Sequence, residues 1–306
     1  MMVAFQDHDL KTTIAPLVRG KIDYDAPLSK YTWFRTGGNA DILFTPEDER
    51  DLSCFLKALP IEIAVMPLGV GSNLLVRDGG IAGVVIRFGK KFSHIKVDGH
   101  LITVGSGAPD ISVARKALDA KLTGFEFLRG VPGTIGGALK MNAGAYGAEI
   151  KDIFISAKVM DRHGDTHTFS YDDMGFGYRH TNVPNDYIFL EATLKGTSGE
   201  FEYIQRRMNE IGDAREGSQP LRTRTGGSTF KNPTDGSAWK LVDQAGCRGL
   251  KIGDACVSEK HCNFLINAGN ATAKDIEALG EEMRRRVHEK TGVLLEWEIK
   301  RIGRET

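Results

Sequence analysis

The chain has 306 residues, room for two or three domains of ordinary size, and at 41% hydrophobic and 26% charged it has the composition of a soluble globular protein. Its 40 Lys and Arg balance 40 Asp and Glu, so no global basic field draws it to nucleic acid or to an anionic membrane surface. No apolar run approaches the roughly 20 residues of a membrane helix, and MMVAFQDHDLKTTIAPLV carries early acids and no apolar signal core. The expectation is a cytoplasmic protein with no membrane insertion and no nucleic-acid partner.

In chain order, Pro46-Glu47-Asp48-Glu49 opens a helix with acids in its first turn, and Leu52, Phe55, Leu56 and Leu59 give it an apolar stripe. Ile61 to Met66 reads as a strand, followed by the turn Pro67-Leu68-Gly69 and short strands near 74–76, 84–88, 95–97 and 101–104. Residues 108–120 form a helix. Short strands with few helices make this an α+β pattern rather than regular βαβ winding. A hairpin spans 153–170, turning at His163-Gly164-Asp165, so His163 and His167 are expected to be exposed. A strand at 187–194 and an amphipathic helix at 200–215 follow. The polar stretch Glu216 to Pro220 reads as a domain link. Beyond it come a helix at 239–245, a strand at 263–267 and the capping box Thr272-Ala273-Lys274-Asp275 before a last long helix. The chain closes with a strand over 292–300, on which Glu296 and Glu298 share a face.

Cys54, Cys247, Cys256 and Cys262 include no CxxC pair, which argues for reduced thiols and against a zinc site; no metal is expected. Glycine is the outlier. It makes up 36 of 306 residues, about 12% against a usual value near 7%, and clusters at 69–83, 99–107, 124–147 and 226–253. Such clusters mark places where backbone approaches a ligand or another strand closely.

PLGVGSNLLV at 67–76 begins like a dinucleotide fingerprint, but Leu74 stands where the third glycine belongs and no helix pattern follows. The residues leave two readings, a plain turn or an anion-binding nest with Ser72 and Asn73. GVPGTIGGALKMNAGAYG at 130–147 lacks the Lys-Ser/Thr of a phosphate-binding P-loop. It reads as a long loop, either close-packed structure or a backbone cradle for a large phosphate-bearing ligand. GGSTFKNP at 226–233 is by itself a turn.

Seven stretches in register resemble the UDP-N-acetylenolpyruvoylglucosamine reductase (MurB) family: TWFRTGGNAD (32–41), PLGVGSNLLV, GVPGTIGGALKMNAGAYG, YRHT (178–181), GGSTFKNP, SEKHCNFLIN (258–267) and LLEWEIKRIG (294–303). They cover nearly all of the chain beyond about residue 20. The short connection between Gly144-Ala145-Tyr146-Gly147 and Tyr178-Arg179 resembles the type II branch of that family. The resemblance implies an α+β, FAD-binding fold of the vanillyl-alcohol-oxidase/PCMH type. Its two subdomains would be 1–92 and 93–218, with the C-terminal strand 293–306 returning to the second, and an α+β substrate domain would occupy 219–292.

The resemblance further implies non-covalent FAD, NADPH as reductant, and the enolpyruvyl ether of UDP-N-acetylglucosamine as substrate, reduced to UDP-N-acetylmuramate. Gly69, Gly71, Ser72 and Asn73 fall where the family cradles the FAD pyrophosphate. Pro132, Gly133, Thr134, Gly136, Gly137, Asn142 and Gly144 fall along the rest of the cofactor. Ser228 matches the proton donor, Arg179 the group that stabilises the substrate carboxylate, and Glu298 the second acid of a Leu-Glu-x-Glu pattern. A glutamate beside a developing negative charge must be protonated, so a raised pKa is expected at Glu298. Lys231, Asn232, Lys240 and Asn263 are expected to contact substrate, with low weight on His261, and Cys262 is expected to be packing. Two readings compete: another FAD-dependent oxidoreductase of this fold, of the sugar-alcohol oxidase type, and a flavin- or nucleotide-binding module without turnover.

Overall fold

The helix predicted after Pro46 forms over Glu49–Ala58, with the Asp48 carboxylate accepting from the Asp51 amide at 2.9 Å. It buries Leu52, Phe55 and Leu56, and Phe55 stacks on Phe44 with ring centroids 4.1 Å apart. The structure is a computed structural model and describes residues 12–234 and 236–305. The chain divides into two units. One comprises the described part of Met1–Tyr24 with Ile42–Gly69 and Gly83–Gly212; the other comprises Asp25–Asp41, Val70–Ala82 and the described part of Asp213–Thr306.

The first unit holds two hydrophobic cores. One gathers Phe44, Phe55, Val84, Ile86 and Leu190, beside the strand segments 21–24, 42–45, 83–87 and 65–68, the last two parallel. The other gathers Ile102, Val104, Val113, Phe125, Leu128, Ile135 and Leu139. It lines a five-stranded antiparallel sheet ordered Thr166–Ser170, Phe154–Met160, Ile188–Lys195, Leu101–Gly105, Ile95–Asp98. The helix Asp110–Asp119 packs its apolar face into this core.

The second unit has an antiparallel sheet ordered Thr225–Ser228, Phe264–Asn267, Ala255–Val257, Lys251–Ile252, and the helices Ala238–Gln244 and Ala273–Thr291. The capping box read from the sequence is present, with Thr272 Oγ1 accepting from the Asp275 amide and Asp275 accepting from that of Thr272, both at 3.0 Å. Phe34, Leu75, Phe230, Leu279, Met283 and Val287 share the core.

Several expectations are corrected. The strand after the first helix is Val65–Leu68, because Ile63 closes a turn on Pro60 and Ile61 is exposed. The stretch 130–147 is not one loop. It contains the helix Ile135–Met141 and a two-residue hairpin pairing Gly144–Ala145 with Ala148–Glu149. The expected link at 216–220 is helical through Ser218, since the helix Phe201–Ser218 runs on. The segment 292–300 is mostly irregular: Trp297 makes one isolated bridge to Phe230. The C-terminal strand shrinks to Lys300–Ile302 and pairs in parallel with Leu74–Val76 of the second unit, not with the segment 93–218. A cut at single points along the sequence cannot describe units that the chain leaves and re-enters.

Candidate active site

Three stretches far apart in sequence, two of them glycine-marked, meet in the second unit. Glu298 donates its backbone N–H to the carbonyl of Thr229 at 2.8 Å, which ties the acid to the residue after Ser228. Asn73 holds the same segment from another side: its Nδ2 donates to the Glu298 carbonyl at 3.2 Å, and its own carbonyl accepts from Lys300 N–H at 3.0 Å. Gly227, at φ 81, turns so that a Cβ there would lie 3.8 Å from the carbonyl oxygen of Ser72. Ser72, Asn73, Ser228 and Glu298 are all half-buried, as groups that meet a ligand must be. Gly71 lies at φ 63, where an added Cβ would stand 2.6 Å from the Tyr31 carbonyl oxygen, so this tight turn needs glycine.

Asn263 has a task the sequence did not reveal. Its Oδ1 accepts from Phe230 N–H at 3.0 Å, its Nδ2 donates to the Phe230 carbonyl at 2.9 Å, and its own carbonyl accepts from Thr229 N–H at 2.8 Å. The side chain is buried at 3% exposure. In this structure it clamps the backbone that carries Ser228. Lys231 pairs with the exposed Glu296 at 3.2 Å, which separates that acid from Glu298. The Asn232 carboxamide oxygen accepts from the Ala238 amide at 3.0 Å, steadying the helix on which Lys240 is exposed. Burial lowers the pKa of His261 and pushes the Cys262 thiol up.

In the first unit, the segments 106–110 and 133–136 run side by side. Gly136 N–H donates to the Ser106 carbonyl at 2.8 Å, Ile135 to Ala108 at 3.0 Å, and Asp110 to Gly133 at 3.1 Å. A Cβ at Gly69 would lie 2.6 Å from Thr134 Oγ1, so the end of the first glycine turn approaches this ladder closely. Gly137 is exposed, with open space where a Cβ would be. Farther along, Arg179 sits at φ 54, a left-handed conformation that costs a non-glycine residue about 1–2 kcal/mol. Its guanidinium donates to the Gly144 carbonyl at 2.8 Å and lies 3.9 Å from Glu149. Asn142 is fully buried, and its carboxamide donates to Glu149 and to the Gly177 carbonyl and accepts from Lys151 N–H. It braces the turn that presents Gly144 and Arg179. Glu149 was missed by sequence reasoning, and its one local signal is the capping box it forms with Asp152.

The residues fit a flavin dinucleotide. Neither GVGSN at 69–73 nor VPGTIGG at 131–137 carries an acid, so neither stretch would repel a phosphate group, and each has neutral polar groups of its own, Ser72 and Asn73 in the first and Thr134 in the second. Ser106, whose carbonyl anchors Gly136, keeps a buried hydroxyl without a protein partner. Among the described residues no cluster of His, Cys, Asp or Glu could hold a metal, and no helix is long and apolar enough to cross a membrane.

A family model described as the C-terminal domain of UDP-N-acetylenolpyruvoylglucosamine reductase matches residues 219–302, and an FAD binding domain model matches 40–170. The protein named UDP-N-acetylenolpyruvoylglucosamine reductase from Azorhizobium caulinodans is 59% identical over 288 residues, 94% of each chain. The chain belongs to the UDP-N-acetylenolpyruvoylglucosamine reductase family. A second reductase of that name, from Paramagnetospirillum magneticum, is 56% identical over 99% of this chain and 98% of its own. The crystal structure of the Thermus caldophilus family member superposes with a TM-score of 0.80 at 37% identity, over 92% of this chain and 98% of that one. A variant of berberine bridge enzyme, at 12% identity and a TM-score of 0.50 over 64% of this chain and 44% of its own, shares the fold alone.

Proposed function

We propose that this chain carries out its family's reaction, the NADPH-dependent reduction of the enolpyruvyl ether of UDP-N-acetylglucosamine to UDP-N-acetylmuramate, with non-covalently bound FAD. That step belongs to peptidoglycan precursor synthesis in the cytoplasm, and through it to cell-wall growth, cell shape and division. The observation that carries the reading is the convergence, within one unit, of the Ser72–Asn73 turn, Ser228–Thr229 and Glu298.

FAD, when bound, would supply the two-electron chemistry between NADPH and the vinyl carbon that bears no oxygen. Negative charge then develops on the neighbouring carbon and its carboxylate, and the chain's own residues answer it. Ser228 gives its hydroxyl proton to that carbon; a carbanionic carbon is basic enough that position matters more than the acidity of serine. The Arg179 guanidinium, placed by the Gly144 carbonyl and Glu149, pairs with the carboxylate. Glu298 acts in its protonated form, since a second negative charge there would oppose the reaction. Lys231, Asn232 and Lys240 offer polar and cationic groups to the nucleotide part of the substrate.

The test separates the two halves of the reaction. Yellow protein should release free FAD on denaturation, bleach with NADPH and recolour with the enolpyruvyl substrate in the absence of oxygen. Ser228→Ala should bleach at the wild-type rate and recolour roughly 10²–10⁴-fold more slowly. Recolouring at the wild-type rate would remove Ser228 from the mechanism.

A further inference from the structure

Glu298 lies outside any regular strand, and its segment is joined to 229–231 by a single bridge, with Glu298 N–H on the Thr229 carbonyl at 2.8 Å and Lys231 N–H on the Glu296 carbonyl at 2.9 Å. The residue before it is anchored on all sides. The Trp297 indole lies on the helix Ala273–Thr291 at Gly280, where an added Cβ would fall 2.1 Å from Cη2 and 2.3 Å from Cζ2. Glycine inside a helix costs about 1 kcal/mol relative to alanine, and here it opens the groove that the ring fills. Trp297 Nε1 donates to Glu281 Oε1 at 2.8 Å. The Arg301 guanidinium covers the ring at 4.4 Å and itself donates to Glu281 at 2.7 Å and to Glu277 at 3.0 Å. Arg77 closes the far side with a two-point contact to Glu277 at 3.0 and 2.9 Å. The Phe230 ring, two residues from Ser228, meets the indole edge-on at 5.3 Å.

We propose that Trp297, seated in the groove opened by Gly280, is a positioning residue that sets where Glu298 stands relative to Ser228. The proposal rests on the role given to Glu298 above. The indole ties the acid segment to the helix on one side and to the serine-bearing turn on the other, and it touches no reacting atom. The ring and the Thr229 and Asn73 hydrogen bonds hold the segment together, so a displaced ring is passed along the chain to residue 298.

Three variants of the FAD-loaded protein test this by stopped-flow absorbance: Gly280→Ala, Trp297→Phe and the double variant. A displacement of about 1 Å at a catalytic group costs about 10²-fold. Gly280→Ala should therefore slow reoxidation by the enolpyruvyl substrate by about 10–100-fold, with FAD content and the rate of reduction by NADPH unchanged. Trp297→Phe should slow reoxidation severalfold. In the double variant the shorter ring makes room for the added methyl group, and reoxidation should be faster than in Gly280→Ala alone. The proposal is overturned if Gly280→Ala reoxidises at the wild-type rate, if both half-reactions fall together, or if the double variant is no faster than Gly280→Ala. Should Gly280→Ala fail to fold, Trp297→Phe decides: unchanged reoxidation overturns the proposal, and a selective loss supports it. Failure of the wild-type protein itself to be reoxidised by the substrate would instead strike the proposed function.

Discussion

The turn at Thr134 is held by backbone hydrogen bonds between two short stretches, 106–110 and 133–136, while their buried side chains Ser106 and Asp110 find no protein partner. Around Glu298 and Ser228, side chains reinforce the backbone bonds: the carboxamides of Asn73 and Asn263 and the indole of Trp297. A backbone-made cradle tolerates side-chain exchange and fails when a Cβ or a positive φ is forced on it. A side-chain-made site fails by truncation. The comparison thus predicts which kind of substitution harms which function.

Asn263→Ala should have the largest effect on stability. It strands the N–H and C=O of Phe230 in a buried place, at about 1–3 kcal/mol for each group. Denaturant unfolding of the FAD-loaded protein measures the loss, and turnover should fall with it while bound FAD persists. A variant of wild-type stability would show that the clamp carries little, and the contrast between the two regions would collapse. Gly71→Ala comes next. Its Cβ would meet the Tyr31 carbonyl oxygen, and φ 63 adds about 1–2 kcal/mol of strain. FAD affinity, followed by flavin fluorescence on dilution, should fall about tenfold or more, whereas Ser72→Ala should leave it within a few-fold.

The smallest effect is expected at Asp110, which is fully buried in the first unit. Desolvation pushes its pKa well above the usual carboxylate range and outweighs help from the Gly133 amide, which lies nearby but outside good hydrogen-bond geometry. Above the ordinary carboxylate pKa of about 4, the folded state keeps a proton that the unfolded chain has lost. Stability therefore declines as pH rises from there to the folded pKa. Asp110→Asn, neutral at every pH, should match the wild type near pH 4 and exceed it by a few degrees in Tm at pH 8. A gap independent of pH would mean that the buried group does not titrate in the native protein.

Much of the local structure was legible because its causes are local. The Thr272 capping box, the apolar stripe 52–56 and the hairpin at 163–165 depend on neighbours three or four residues away. The same locality misled at 216–220, where polar residues and glycine read as a link although the helix Phe201–Ser218 continues to its end. It misled again at 292–300, where alternating residues promised a strand that the fold replaces with a bridge and an indole anchor.

The sequence by itself determined the family, the glycine turns and the residue types suited to each chemical role, because motif spacing and backbone freedom are written along the chain. Tertiary structure decided what those residues do for one another. It bound the carboxamides of Asn263 and Asn142 to distant backbone, set Glu296 on Lys231, and seated Trp297 against Gly280. The physical reason is that a carboxamide or an indole can serve equally on a ligand or on a distant stretch of backbone. Only the packing of segments dozens to hundreds of residues apart selects between the two.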